Sequence, residues 1–116
     1  MKFLVIVNDP PYGTERAYNA LRQANAIAGK ENTEVRVFLI ADAAACAKIN
    51  QKTPNGYYNL EKMLTIAKRK GIEVGVCGSC MDARGISEDE LHDSSHKSTM
   101  DELTDWSIWA DKIITY

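Results

Sequence analysis

Much that would assign this chain to a familiar functional class is missing from it. No apolar run approaches the roughly 20 residues needed to cross a bilayer. No charged leader followed by a long apolar segment precedes the first apolar stretch, so no secretory signal is read. Lysine and arginine (14) do not outnumber aspartate and glutamate (16), and the net charge of −2 gives no electrostatic reason to expect a nucleic acid or an anionic membrane as partner. The 3 cysteines are an odd number in a 116-residue chain long enough to bury a core unaided, which is not a secreted disulfide framework; a cytoplasmic protein with reduced thiols is expected. There is no G-x-G-x-x-G and no Walker lysine, and the first loop, Asp9 to Gly13, would present an acid and two prolines to a phosphate. No cofactor is therefore expected. Ser79 lacks a nucleophile-elbow sequence, and no repeat or low-complexity segment interrupts the chain.

What is present reads as a single α/β domain over residues 1–116. Lys2 to Asn8 is a nearly continuous β-branched run, as in a strand buried on both faces. After the proline loop, Thr14 is expected to cap a helix whose Ala17, Ala20, Leu21, Ala24 and Ile27 form one apolar stripe ending at Gly29. Glu34 to Ala41 reads as a second strand and Asp42 to Ala47 as a short helix, in which Cys46 is a small packing residue. Polar and turn residues from Asn50 to Tyr58 form the longest loop. Asn59 caps the next helix, which closes on the basic residues Lys68, Arg69 and Lys70 before Gly71. A third strand starts at Ile72. Ser87 with Glu90 and Thr99 with Glu102 are capping boxes predicted to open two helices, and Lys112 to Tyr116 is a terminal strand. This alternation predicts a doubly wound, mainly parallel sheet of four or five strands.

The third strand runs into C-G-S-C-M-D-A-R-G-I, from Cys77 to Ile86. A thiol at the carboxyl rim of a parallel sheet sits where ligands bind in such folds. Gly78 is expected to turn the backbone sharply there, and Gly78, Ser79 and Cys80 to offer N–H groups that favour a Cys77 thiolate. Arg84 is a candidate thiolate stabiliser and Cys80 a candidate resolving thiol. Asn8 and Tyr12, on the first loop over the same rim, join Gly78 and Ser79 as candidate substrate contacts. A rival reading is structural zinc, because Cys77, Cys80, His92 and His96 have the spacing C-x2-C-x11-H-x3-H. Against it, the cysteine pair ends a strand rather than a hairpin, and a domain of this size needs no metal to fold; no metal is expected.

These residues resemble the DsrE/DsrF-like family. The resemblance rests on N-D-P-P-Y-G-T-E-R from Asn8 to Arg16, the Cys77 to Ile86 segment, and S-T-M-D-E-L-T-D-W with A-D-K between Ser98 and Lys112. It implies a flavodoxin-like three-layer sandwich assembled as homotrimers or homohexamers. In the family's sulfur-relay members it also implies a cysteine, matched here by Cys77, that carries sulfur as a persulfide between donor and acceptor proteins. Alternatives are an oligomeric ligand- or protein-binding module without catalysis, or a Cys-x-x-Cys redox site. Independently of the family, Trp106, Ile108 and Trp109 cannot all face one sheet from a single helix, so another subunit is expected to cover part of that surface.

Overall fold

The computed structural model describes residues 1–116, folded around one five-stranded sheet. Its strands are β1 (Lys2–Val7), β2 (Glu34–Leu39), β3 (Glu73–Cys77), β4 (Ser95–Ser98) and β5 (Lys112–Thr115), in the spatial order β4-β3-β2-β1-β5. Every pairing is parallel. The helices are α1 (Arg16–Ala28), α2 (Leu60–Arg69), α3 (Gly78–Ala83) and α4 (Met100–Trp109), with 3₁₀ turns at Ala41–Ala47 and Glu88–Glu90.

The sheet has two unequal covers. Strand alternation sends Val5, Val7, Val37, Leu39, Val74 and Val76 to the face covered by α1 and α2, whose Ala17, Ala20, Ala24 and Ala67 let helix backbones approach closely. The opposite face carries a smaller cluster of Leu4, Phe38, Cys77 and Trp106 beneath α4. Gly75 makes room there: a Cβ would stand 3.1 Å from the Phe38 ring and 3.2 Å from Trp106, two rings packed edge to face with centroids 6.1 Å apart. The doubly wound three-layer architecture expected from the sequence is present.

Several local expectations need correction. Helix α1 begins at Arg16, and Thr14 instead accepts the Arg16 N–H at 3.3 Å while donating to Asp9 at 3.0 Å. The Ser87–Glu90 capping box forms, yet opens only a 3₁₀ turn. Asn59 and Thr99 do cap α2 and α4 through Oδ1 and Oγ1, taking the Lys62 and Glu102 N–H groups. Strand β4, Ser-His-Lys-Ser, was not legible, because an edge strand facing water needs no apolar alternation.

The connections fix where a site can form. From β3 the chain turns into α3, whose Met81 joins the α1–α2 core, whereas from β4 it turns into α4 on the opposite face. Adjacent strands whose exits diverge leave a crevice at their carboxyl ends. In this chain that crevice lies between Cys77 and Ser98, which are register partners.

Candidate functional site

An open cavity of about 320 Å³ fills that crevice. Cys77, Gly78 and Ser79 form one wall, Lys97, Ser98 and Thr99 the other, and Asp82 and Met100 stand at the rim. Gly78 does not supply a left-handed turn. Instead it begins α3, and it is small because a Cβ there would sit 2.8 Å from the Ser98 carbonyl oxygen. The close approach of α3 to β4 thus requires glycine.

Cys77 is buried at 8% exposure, yet its thiol is held below the ordinary value. Burial pushes the pKa up, but hydrogen bonds from the Cys80 and Ser79 side chains and from the backbone N–H groups of the same two residues outweigh it. Ser79 Oγ lies 3.3 Å from Cys77 Sγ. Of the three expected N–H donors, those of Ser79 and Cys80 contribute to this lowering. Cys80 is pushed the other way: burial raises it, and a hydrogen bond to Cys77 stabilises its protonated form, with smaller opposing help from the Ala41 N–H and Arg84. The two thiols are displaced in opposite directions, Cys77 downward and Cys80 upward.

Arg84 does not reach Cys77. Its Nε and Nη2 grip Asp42 Oδ1 at 3.1 and 2.7 Å, and Nη1 donates to the Cys80 carbonyl at 3.1 Å, tying α3 to the 3₁₀ turn after β2. Ala41 is the group that sequence reasoning missed. It adopts φ 55°, a left-handed conformation unfavourable for an alanine, and aims its N–H at Cys80 Sγ, 3.2 Å away. Nothing in a run of alanines signals this.

The other candidates lie apart. Asn8 binds the Tyr116 carbonyl through its side chain at 3.1 Å, at the end of β1, and β2 separates that strand from β3. Tyr12 donates to Gln51 at 2.5 Å, accepts the Leu60 N–H at 3.2 Å and stacks on Tyr58, anchoring the long loop. Neither lines the Cys77 cavity. Of the four residues with zinc-like spacing, the two cysteines adjoin each other but the two histidines are bonded elsewhere. His92 is buried, bonded to Thr65 at 3.0 Å and Ser94 at 2.8 Å, while His96 pairs with Glu102 on the α4 face. No group of three or more His, Cys, Asp or Glu side chains is placed to hold a metal ion. The third thiol, Cys46, is fully buried among alanines, and burial pushes it up to about 12.

No helix is long and apolar enough to cross a membrane. The DsrE/DsrF-like family model matches residues 1–116. YchN of Escherichia coli K12 is 38% identical over 116 residues, covering 99% of this chain and 98% of that one. An uncharacterised protein of Methanocaldococcus jannaschii is 38% identical over 116 residues, covering 100% of both. The crystal structure of the Escherichia coli YchN protein superposes with a TM-score of 0.91 at 36% identity, covering 99% of this chain and 98% of that one. A protein of unknown function from Methanobacterium thermoautotrophicum shares the fold at TM-score 0.75 and 13% identity, over 99% and 97% of the two chains. By sequence across its whole length, the chain belongs to the DsrE/DsrF-like family.

Proposed function

We propose that the protein carries sulfane sulfur as a persulfide on Cys77. The observation that supports this most is a thiol at the edge of an open cavity, with Ser79 Oγ 3.3 Å from its sulfur and its pKa lowered despite burial. A thiolate so held attacks the terminal sulfur of a donor persulfide, R–S–SH. A new S–S bond forms to Cys77, the donor's S–S bond breaks, and the electron pair leaves as R–S⁻, which takes the proton of the new, more acidic persulfide. Transfer to an acceptor thiolate is the same exchange in reverse, and no oxidant, metal or cofactor enters. The family is consistent with a small protein of sulfur-relay type. Such chemistry suits a reducing compartment such as the cytoplasm.

Cys80 is the resolving thiol of this reading. Its thiolate attacks Cys77 Sγ, closing a disulfide and expelling the outer sulfur as hydrosulfide. Because its pKa is raised, little of it is thiolate at neutral pH, so carriage outlasts resolution. Intact-mass analysis after exposure to a sulfane-sulfur donor tests the scheme. Cys77→Ser should abolish the one-sulfur mass gain, whereas Cys80→Ser should keep the gain and lengthen its lifetime. Loading that survives in Cys77→Ser and vanishes in Cys80→Ser would reverse the roles.

A second reading, an oligomeric binding module without catalysis, is favoured by the thin cover of the α4 face. Trp106 is buried, but Ile108 is 79% exposed and Ile113 on edge strand β5 is 48% exposed. A homotrimer or homohexamer would bury them. The two readings are compatible, and a monomer in sedimentation at micromolar concentration would contradict the assembly.

A further inference from the structure

The donor's chemistry is written in the charges at the mouth of the Cys77 cavity. Any donor must place its sulfane sulfur against Cys77, so the rest of the molecule occupies the crevice. The crevice has two ionised side chains at its lining, one of each sign: Lys97 on β4 and Asp82 on α3. They face each other across the mouth, with Lys97 Nζ 2.9 Å from Asp82 Oδ1. The Lys97 stem runs over Gly78, with Cε 3.1 Å and Cγ 3.4 Å from the position of a Gly78 Cβ. Asp82 lies four residues after Gly78 in the same helix, one turn above the thiol wall, a rise of about 5–6 Å. Ser79 and Ser98 are engaged by Cys77 and by Glu102 at 2.7 Å, whereas the Lys97 and Asp82 side chains bond to each other across the mouth, a pair that a ligand carrying both charges can exchange for its own.

We infer that the donor is a small zwitterionic α-amino-acid persulfide, its carboxylate received by Lys97 and its ammonium by Asp82 as the two open their mutual ion pair. This rests on the persulfide reading of Cys77. In such a molecule the α-carbon, which bears both charges, is three bonds from the terminal sulfur, a separation comparable to the one helical turn between thiol wall and ion pair. A cavity of about 320 Å³ admits a molecule of that size. Opening an exposed ion pair costs little, about 0–1 kcal/mol, so exchanging it for two ligand contacts is favourable. The reaction stays balanced: the sulfane sulfur passes to the Cys77 thiolate, and the free amino-acid thiol departs with the proton.

The test compares initial loading rates, by intact mass, for three donors: cysteine persulfide, the same persulfide with amine and carboxylate blocked as amides, and inorganic polysulfide. The blocked form mimics a polypeptide-borne persulfide. Cysteine persulfide should exceed the blocked form about tenfold in kcat/KM, equivalent to about 1.4 kcal/mol. Lys97→Met, which keeps the stem, and Asp82→Asn should each reduce cysteine persulfide to the rate of the blocked form, mainly through KM. Equal rates for the two organic donors in the wild type, with polysulfide still loading Cys77, would overturn the donor class alone and favour a polypeptide donor. Failure of all three to load Cys77 would overturn the persulfide reading, and this inference with it.

Discussion

Cys46 and Cys77 are both buried thiols at the carboxyl end of the same sheet, yet they are displaced in opposite directions, Cys46 up to about 12 and Cys77 below the ordinary value. Burial alone therefore does not decide which cysteine is a reagent. Cys46 packs among Ala43, Ala44 and Ala47 in the core, where its thiol donates to the Asp9 carbonyl oxygen 3.8 Å away, an acceptor that cannot stabilise a thiolate, and burial outweighs the help of its own backbone N–H. Cys77 loses less to burial than it gains from donors on Ser79 and Cys80. The lesson is that the thiolate is made by what points at the sulfur, and at Cys77 this is Ser79 and Cys80 held in place by α3.

The most severe way to break the contrast is to separate the two walls of the crevice. Gly78→Ala places a methyl group 2.8 Å from the Ser98 carbonyl oxygen, a contact with backbone that no side-chain rotation relieves. A loss of about 1–3 kcal/mol in chemical denaturation is expected, together with slower labelling of Cys77. Unchanged stability would mean that β4 does not lie against α3 as described.

Next in size are the donors themselves. Cys80→Ala removes the thiol that donates to Cys77, and Ser79→Ala removes the hydroxyl at 3.3 Å. Each should move the Cys77 titration upward, towards its ordinary value, while Cys46 stays unreactive in the native protein. An unmoved Cys77 in both variants would show that backbone N–H groups alone set it.

How much of this was open to inspection in the sequence differs between the same two regions. The buried strands β1, β2 and β3 announce themselves as continuous apolar runs, and Cys77 at the end of β3 is legible as a thiol at the rim. Its opposite wall is not. Lys97 and Ser98 reach the site only because Ser-His-Lys-Ser pairs as a parallel edge strand, and four polar residues carry no strand signal. Nor did the sequence indicate that Gly78–Ala83 is helical, since a helix opening on glycine is too short to show a period. Asn8 and Tyr12 were placed on the correct rim, but strand order puts β1 two positions from β3, about 10 Å away at the usual spacing. Arg84 lies near the site in sequence, yet the carboxylate of Asp42 holds it elsewhere.

The smallest expected effect sharpens that last correction. Arg84→Gln removes an ion pair in which the arginine and Asp42 side chains are 34% and 64% exposed, so stability should fall by no more than about 1 kcal/mol. Because Arg84 favours the Cys80 thiolate, Cys80 labelling should shift to higher pH while that of Cys77 does not. A shift confined to Cys77 would restore Arg84 as its stabiliser.

The most direct test is the pH dependence of alkylation at each cysteine, resolved by peptide mass analysis in a single sample of the native protein. Alkylation reads the thiolate, whose fraction rises with pH, so a lowered pKa moves the rise to lower pH and a raised one delays it. Cys77 should label first, at a pH below that of an ordinary thiol, Cys80 later, and Cys46 only on unfolding. Coincident profiles for Cys77 and Cys80, or Cys80 labelling first, would contradict the assignment of Cys77 as the reactive thiolate.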